Sequence, residues 1–200
     1  MTCASTMTPA PTKPTVRYVV REAVVSDAQT LVAIINDAYR TDKGWTHEAH
    51  LISDPRISVQ GLEALIENPA MHILVIGDMD TGLIIGSIEI EHFDTTAKEV
   101  VGDVDRCFQT DAVMIGLLAI HPDYQSRGAG SFMMKAALQK CREMTPKKTT
   151  AVLYAIHTRD ELIAWYMRIG FKPTGRTIDF VFPDLQKVDD AHFNEYTMDL

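Results

Sequence analysis

The 200-residue chain has the length of one domain, and its 46% hydrophobic and 23% charged residues are an ordinary balance for a globular fold. Acidic residues number 27 against 19 basic ones, a net charge of −8, so the overall basic footprint of a nucleic-acid binder is missing. The longest apolar run, Ala112–Ile120, falls well short of the about 20 residues that cross a bilayer, so neither nucleic acid nor membrane is an expected partner.

Cys3, Cys107 and Cys141 form no CxxC pair and stand beside no histidine cluster, which argues against a metal site and against a disulfide framework. A reducing, cytoplasmic location is expected. Residues 1–15, with three prolines and five threonines, read as a disordered tail rather than a targeting segment, leaving 16–200 as a single domain.

Val16–Val20 alternates loosely and predicts a first strand. Ser26 and Asp27 then open a helix through a capping box with Gln29, and Leu31, Ile34, Ile35 and Ala38 keep helical spacing to about Tyr39. Thr41–Val59 reads as a long polar loop, and Gly61–Glu67 as a short helix. Met71–Gly77 and Leu83–Glu91 predict a hairpin, followed by a polar stretch from His92 to Thr110. Ala112–Ile120 is an apolar strand, after which a glycine-bearing turn opens a helix whose Met133, Ala137, Cys141 and Met144 share one face. Thr149–Ile156 predicts a strand, Asp160–Ile169 a helix stopped by Gly170, and Thr177–Phe182 and Asn194–Leu200 two final strands. The order describes a mixed α+β domain with one continuous core.

The segment that carries chemistry runs from Leu118, Ala119 and Ile120 through Gln125, Ser126, Arg127, Gly128, Ala129, Gly130 and Ser131. A strand that stops at a glycine turn and starts a helix lets backbone N–H groups approach an anion, and the helix dipole adds about half a positive charge. No Gly-Lys-Ser/Thr follows, so this is not a Walker loop, and Met133 stands where a dinucleotide fingerprint needs glycine. Between His121 and Lys148 the local charge is +4 inside a chain of −8, and Arg127 lies within the loop itself.

This loop resembles the pyrophosphate loop of the GCN5-related N-acetyltransferase (GNAT) superfamily, Gln/Arg-x-x-Gly-x-Gly/Ala, in Gln125-Ser-Arg127-Gly128-Ala-Gly130. A second block, Trp165-Tyr166-Met-Arg-Ile-Gly170-Phe171, resembles the same family's aromatic-Tyr-x-x-x-Gly-Phe/Tyr helix end, about 40 residues on with a strand between. Asn36-Asp-Ala-Tyr39-Arg40, Gly44-Trp45-Thr46-His-Glu48 and Arg159-Asp-Glu161-Leu162 resemble a widespread branch of small acetyltransferases, in which Asn often stands at the place of Arg159. The resemblance implies a central, mostly antiparallel mixed sheet with helices on both faces. It also implies acetyl-CoA held by residues 118–120 and 125–131 together with Arg159, with no metal, and direct transfer of acetyl to a primary amine of a small molecule or peptide.

By the same resemblance Tyr166 occupies the place of the acid that protonates the departing thiolate, and a main-chain N–H near Leu118 would face the developing oxyanion. Where family members often carry a Glu or His base, this strand has Met114 and Gly116. Glu89 and Glu91 share one face of the preceding strand by alternation and are the candidates for that base, Glu89 being nearer the strand centre. Tyr39, Trp45 and Glu48 border the acceptor in this fold and are candidates for substrate recognition. From Asp80 to Asp111 the local charge is −6, a rim that would favour cationic amines. Two other readings stay open: an acyl-CoA sensor without a base, and a partner-dependent subunit. Homodimerisation is likewise open.

Overall fold

The computed structural model describes residues 17–92, 100–101, 104–105, 111–179, 187 and 191–200. The predicted tail, Cys3, Cys107 and most of the His92–Thr110 stretch lie outside them.

Among the described residues nine strands and four helices follow one another: β1 (Tyr18–Glu22), α1 (Ala28–Arg40), α2 (Val59–Glu67), β2 (Met71–Asp78), β3 (Ile84–His92), β4 (Val100–Val101), β5 (Val104–Asp105), β6 (Ala112–Ile120), α3 (Ala129–Glu143), β7 (Thr150–Ile156), α4 (Asp160–Ile169), β8 (Lys172–Asp179) and β9 (His192–Asp199); all but β4 and β5, which fall in the stretch read as polar and without strands, keep the predicted order. The mixed α+β architecture expected from the sequence is present. Seven strands make one sheet in the order β1-β2-β3-β6-β7-β9-β8, and β4 pairs with β5 apart from it. Every ladder of the sheet is antiparallel except β6–β7.

Two apolar layers cover the sheet. Leu31, Ile34, Ile35 and Ala38 of α1 and Leu62 of α2 pack on Ile73, Val75, Leu117 and Ala119, while Met133, Met134, Ala137, Leu138 and Cys141 of α3 pack on Leu74, Ile76, Ile88, Ile90, Val113 and Ile115. The helical spacing read in the sequence therefore produces one buried stripe on each side. Burial raises the Cys141 thiol to about 11, leaving it a packing residue.

Three expectations shift. Ser26 does not cap α1: Asp27 precedes its first turn, takes the Val24 N–H at 2.9 Å, and holds Arg21 through two bonds of 2.7 and 2.9 Å. The strand expected at Thr177–Phe182 begins earlier, at Lys172, because Pro173 and Gly175 obscure the alternation where β8 bulges against β9. The long loop after α1 is not wholly polar, since Leu51 and Ile52 bury themselves with Ile156 and Phe193.

Two irregularities of β6 shape the molecule's centre. Three steps along β6, Gly116 to Ala119, are matched by two along β3, Glu89 to Ser87, and Leu117 within this bulge has φ +42°. The strand's phase flips there: Val113 and Ile115 face α3, whereas Leu117 and Ala119 face α1. Beyond Met114 the β6–β7 ladder also ends, having paired only Ala112–Met114 with Thr150–Val152. The two central strands part from that point, and the sheet opens between them.

Candidate active site

A cavity of about 240 Å³ sits at this opening. One wall is Leu118 and Ile120 of β6 with Gln125, Ser126, Gly128, Gly130 and Ser131 of the following turn and helix start; the other is Arg159 with Leu162, Trp165, Tyr166 and Arg168 of α4. Ala38 and Tyr39 from the end of α1, with Trp45 and Thr46, line the remaining side. Segments far apart in sequence meet here because β6 and β7 diverge. Of the residues singled out from sequence, Glu48, Ala119, Arg127, Ala129, Glu89 and Glu91 do not line the cavity. Ala38, Thr46, Leu162, Trp165 and Arg168 line it without having been proposed as site residues.

The turn is built around Gly128, whose φ of +86° an L side chain rarely adopts and which closes the N-terminus of α3. A Cβ there would meet no heavy atom within 4 Å beyond its chain neighbours, so the space beside the α3 N-terminus is open at Gly128. Unpaired N–H groups of the first helical turn and the helix dipole make that space favourable to an anion. Ser131 and Arg127 are exposed beside it, with the Arg127 guanidinium 5.6 Å from the Tyr124 ring.

Gln125 is a strut rather than a free donor. Its amide donates to the Ile120 carbonyl at 2.8 Å and its oxygen accepts the Trp45 N–H, which fastens the loop after α1 to the end of β6. Trp45 remains 46% exposed at the cavity edge. Glu48, expected to face substrate, is 6% exposed and committed within the protein: its two carboxylate oxygens take Arg40 at 2.6 Å and Arg159 at 2.7 Å. Arg159 also donates to the Thr46 hydroxyl at 3.3 Å and lies 5.6 Å over the Tyr39 ring. The triad ties the loop to the start of α4 and fixes the cavity's mouth.

Tyr166 is 8% exposed, packed edge-on to Phe171 at 6.0 Å, and burial pushes its phenol well above the ordinary tyrosine value, with the nearby Tyr39 adding to that push and Arg159 opposing it. It is a buried proton donor at the wall of a cavity. Glu89 is 9% exposed, and Glu91, one alternation further along β3, is less buried. Burial holds the Glu89 carboxyl above the usual glutamate range, offset in part by Arg56. Glu89 pairs across the ladder with Gly116, and a Cβ at Gly116 would lie 2.9 Å from Glu89 Oε2. The missing side chain on β6 and the carboxylate on β3 are thus one feature: glycine leaves the room that the carboxylate occupies, beside the point where β6 and β7 part. Among the described residues no group of three His, Cys, Asp or Glu side chains is placed to hold a metal ion, and no helix is long and apolar enough to cross a membrane.

A search of curated proteins finds no match. Solved structures do match in fold: spermidine N-acetyltransferase from Vibrio cholerae in complex with CoA and spermine is 15% identical with a TM-score of 0.64, covering 91% of this chain and 95% of its own. Ribosomal-protein-alanine N-acetyltransferase from Brucella melitensis is 18% identical with a TM-score of 0.65, covering 91% and 99%. The model of the acetyltransferase (GNAT) family matches residues 30–171, a span holding the glycine turn, the bulged strand and the helix with Tyr166, and the chain belongs to that family.

Proposed function

We propose that the protein transfers an acetyl group from acetyl-CoA to a primary amine of a small molecule or peptide, by direct attack and in the cytoplasm. The observation that carries this reading is the cavity itself, which joins an open α3 N-terminus at one end to the buried Tyr166 phenol on its α4 wall. The cradle fits the co-substrate: Gly128 presents no side chain, and the N–H groups that follow it can take a pyrophosphate. Gly130 and Ser131 continue that cradle, and Leu118 and Ile120 offer an apolar run beside it. Acetyl-CoA supplies the activated acetyl group and a thiol leaving group.

The chain's own residues then meet three demands. Glu89, ionised and set back from the cavity wall, takes a proton from the acceptor's ammonium through water, so that the nitrogen lone pair is free to form the new N–C bond. Backbone N–H groups near Leu118, on the stretch of β6 that has left β7, donate to the acetyl oxygen as it gains negative charge. The adduct nitrogen loses its second proton to solvent, Glu89 releases the one it took, and Tyr166 gives its proton to sulfur as the C–S bond breaks and recovers one from solvent, so ammonium and thioester become acetyl-amine, free thiol and one released proton. A phenol held protonated by burial is suited to that donation.

The test is CoA release, measured with thiol reagent across amino acids, polyamines, arylamines and peptides. Release that depends on one amine class supports the reading. Acetyl-CoA binding without release by any amine would make the chain a sensor.

A further inference from the structure

Around Tyr39, on the cavity wall, stand the charges of Arg56, Glu48, Arg159 and Glu89, of which only Arg159 itself lines the cavity. Glu48 is spent, since both oxygens hold arginines. Arg56 is exposed, its guanidinium lies 5.4 Å over the Tyr39 ring, and among the described residues no carboxylate stands within ion-pair distance of it. Its backbone is nonetheless held: the Arg56 N–H donates to Asn36 Oδ1 at 2.6 Å, and Asn36 Nδ2 donates to the Ile57 carbonyl at 2.9 Å. Asn36 of α1 thereby holds the backbone of a cation that lies over Tyr39, a residue of the cavity wall, and that has no ion-pair partner among the described residues. Its charge partly offsets the effect of burial on Glu89, which is packed against Gly116.

We infer that the acceptor is an amine that also bears a carboxylate, an amino acid or a similar zwitterion, with its carboxylate on Arg56 and its ammonium toward Glu89. The inference rests on the acetyltransferase reading and narrows it. An amino acid carries a carboxylate for Arg56, whose guanidinium lies 5.4 Å over the cavity-lining Tyr39, and an ammonium for Glu89. A guanidinium fork suits a carboxylate, and the Tyr39 ring 5.4 Å away attracts the cation. A polyamine asks the opposite of this end, namely several uncommitted carboxylates, and would place its second ammonium near Arg56. Of the acidic residues counted between Asp80 and Asp111, Asp94, Glu99 and Asp103 lie outside the described residues.

The experiment sets each proteinogenic amino acid beside the primary amine left when its carboxylate is removed (phenylalanine beside phenethylamine, tryptophan beside tryptamine), and measures kcat/KM by CoA release for wild type, Arg56→Gln and Arg56→Lys. At least one acid should exceed its amine by about tenfold or more, and Arg56→Gln should collapse that ratio toward one through KM, with Arg56→Lys keeping part of it. Amines equal to or better than their acids would overturn the proposal, as would an unchanged ratio in Arg56→Gln or release with neither set. Calorimetry of acetyl-CoA separates the two levels. No binding by wild type removes the acetyltransferase reading itself, whereas intact binding with turnover of carboxylate-free amines alone removes only this inference.

Discussion

Glu89 is the residue on which activity and stability pull apart. Its pKa in the folded chain is raised by burial, so the folded state holds this proton more tightly than the unfolded one. The associated stability is fully present below the unfolded value of about 4.3 and is lost as pH rises through the folded value, so ionised Glu89 weakens the fold at neutral pH. Glu89→Gln should therefore raise the melting temperature at pH 7, while lowering kcat/KM on the order of 10²-fold and removing the acidic limb of the pH–rate profile. An unshifted profile would exclude it as the base. Tyr166 is protonated across the working pH range because burial raises it, so it should add no basic limb there. Tyr166→Phe keeps the ring against Phe171 and should change stability by less than about 1.5 kcal/mol, with turnover down on the order of 10²-fold. Full turnover in a folded Tyr166→Phe would make it a packing residue.

At the scale of elements, the loop after α1 is held by charge as much as by apolar contact. Glu48→Ala would leave Arg40 and Arg159, both largely buried, without their anion, and should cost about 3–5 kcal/mol in denaturant unfolding. A loss under 1 kcal/mol, the scale of an exposed pair, would show that the triad is not what fastens this loop. In the β3–β6 ladder, Gly116→Ala brings a methyl to 2.9 Å from the tip of Glu89, a flexible group that can give way. Stability should move by less than about 1 kcal/mol, and activity should fall as it does in Glu89→Gln. Unchanged activity with Glu89 shown to matter would mean that the carboxylate works from another position. These elements were largely legible in the sequence, since the helical stripes of α1 and α3 and the runs of β2, β3 and β6 follow directly from hydrophobic period. The start of β8 was not, because Pro173 and Gly175 suppress the strand signal where a bulge tolerates them. Glu48 was read as facing substrate because a carboxylate in a polar loop gives no sign of the arginines that fold onto it, one of them 111 residues away.

For the molecule as a whole, local pattern supplied the glycine turn, the Tyr166 helix and the α+β order, but not the opening that unites them. That β6 leaves β7 after Met114 depends on pairing between strands, and the flip at Leu117 breaks the alternation from which faces are read. The cavity is consequently a product of the sheet, and its lining from α1, β6, α3 and α4 could be assembled only in three dimensions. The proposed transfer requires the open α3 N-terminus to receive the pyrophosphate of acetyl-CoA. Gly128→Glu places a negative side chain in that space at a left-handed position, so its folding is confirmed by circular dichroism before binding is measured. Titration calorimetry of acetyl-CoA with wild type and Gly128→Glu decides this: binding by wild type should weaken at least about tenfold in the folded variant, and equal affinity in the two proteins would contradict a pyrophosphate site at this turn.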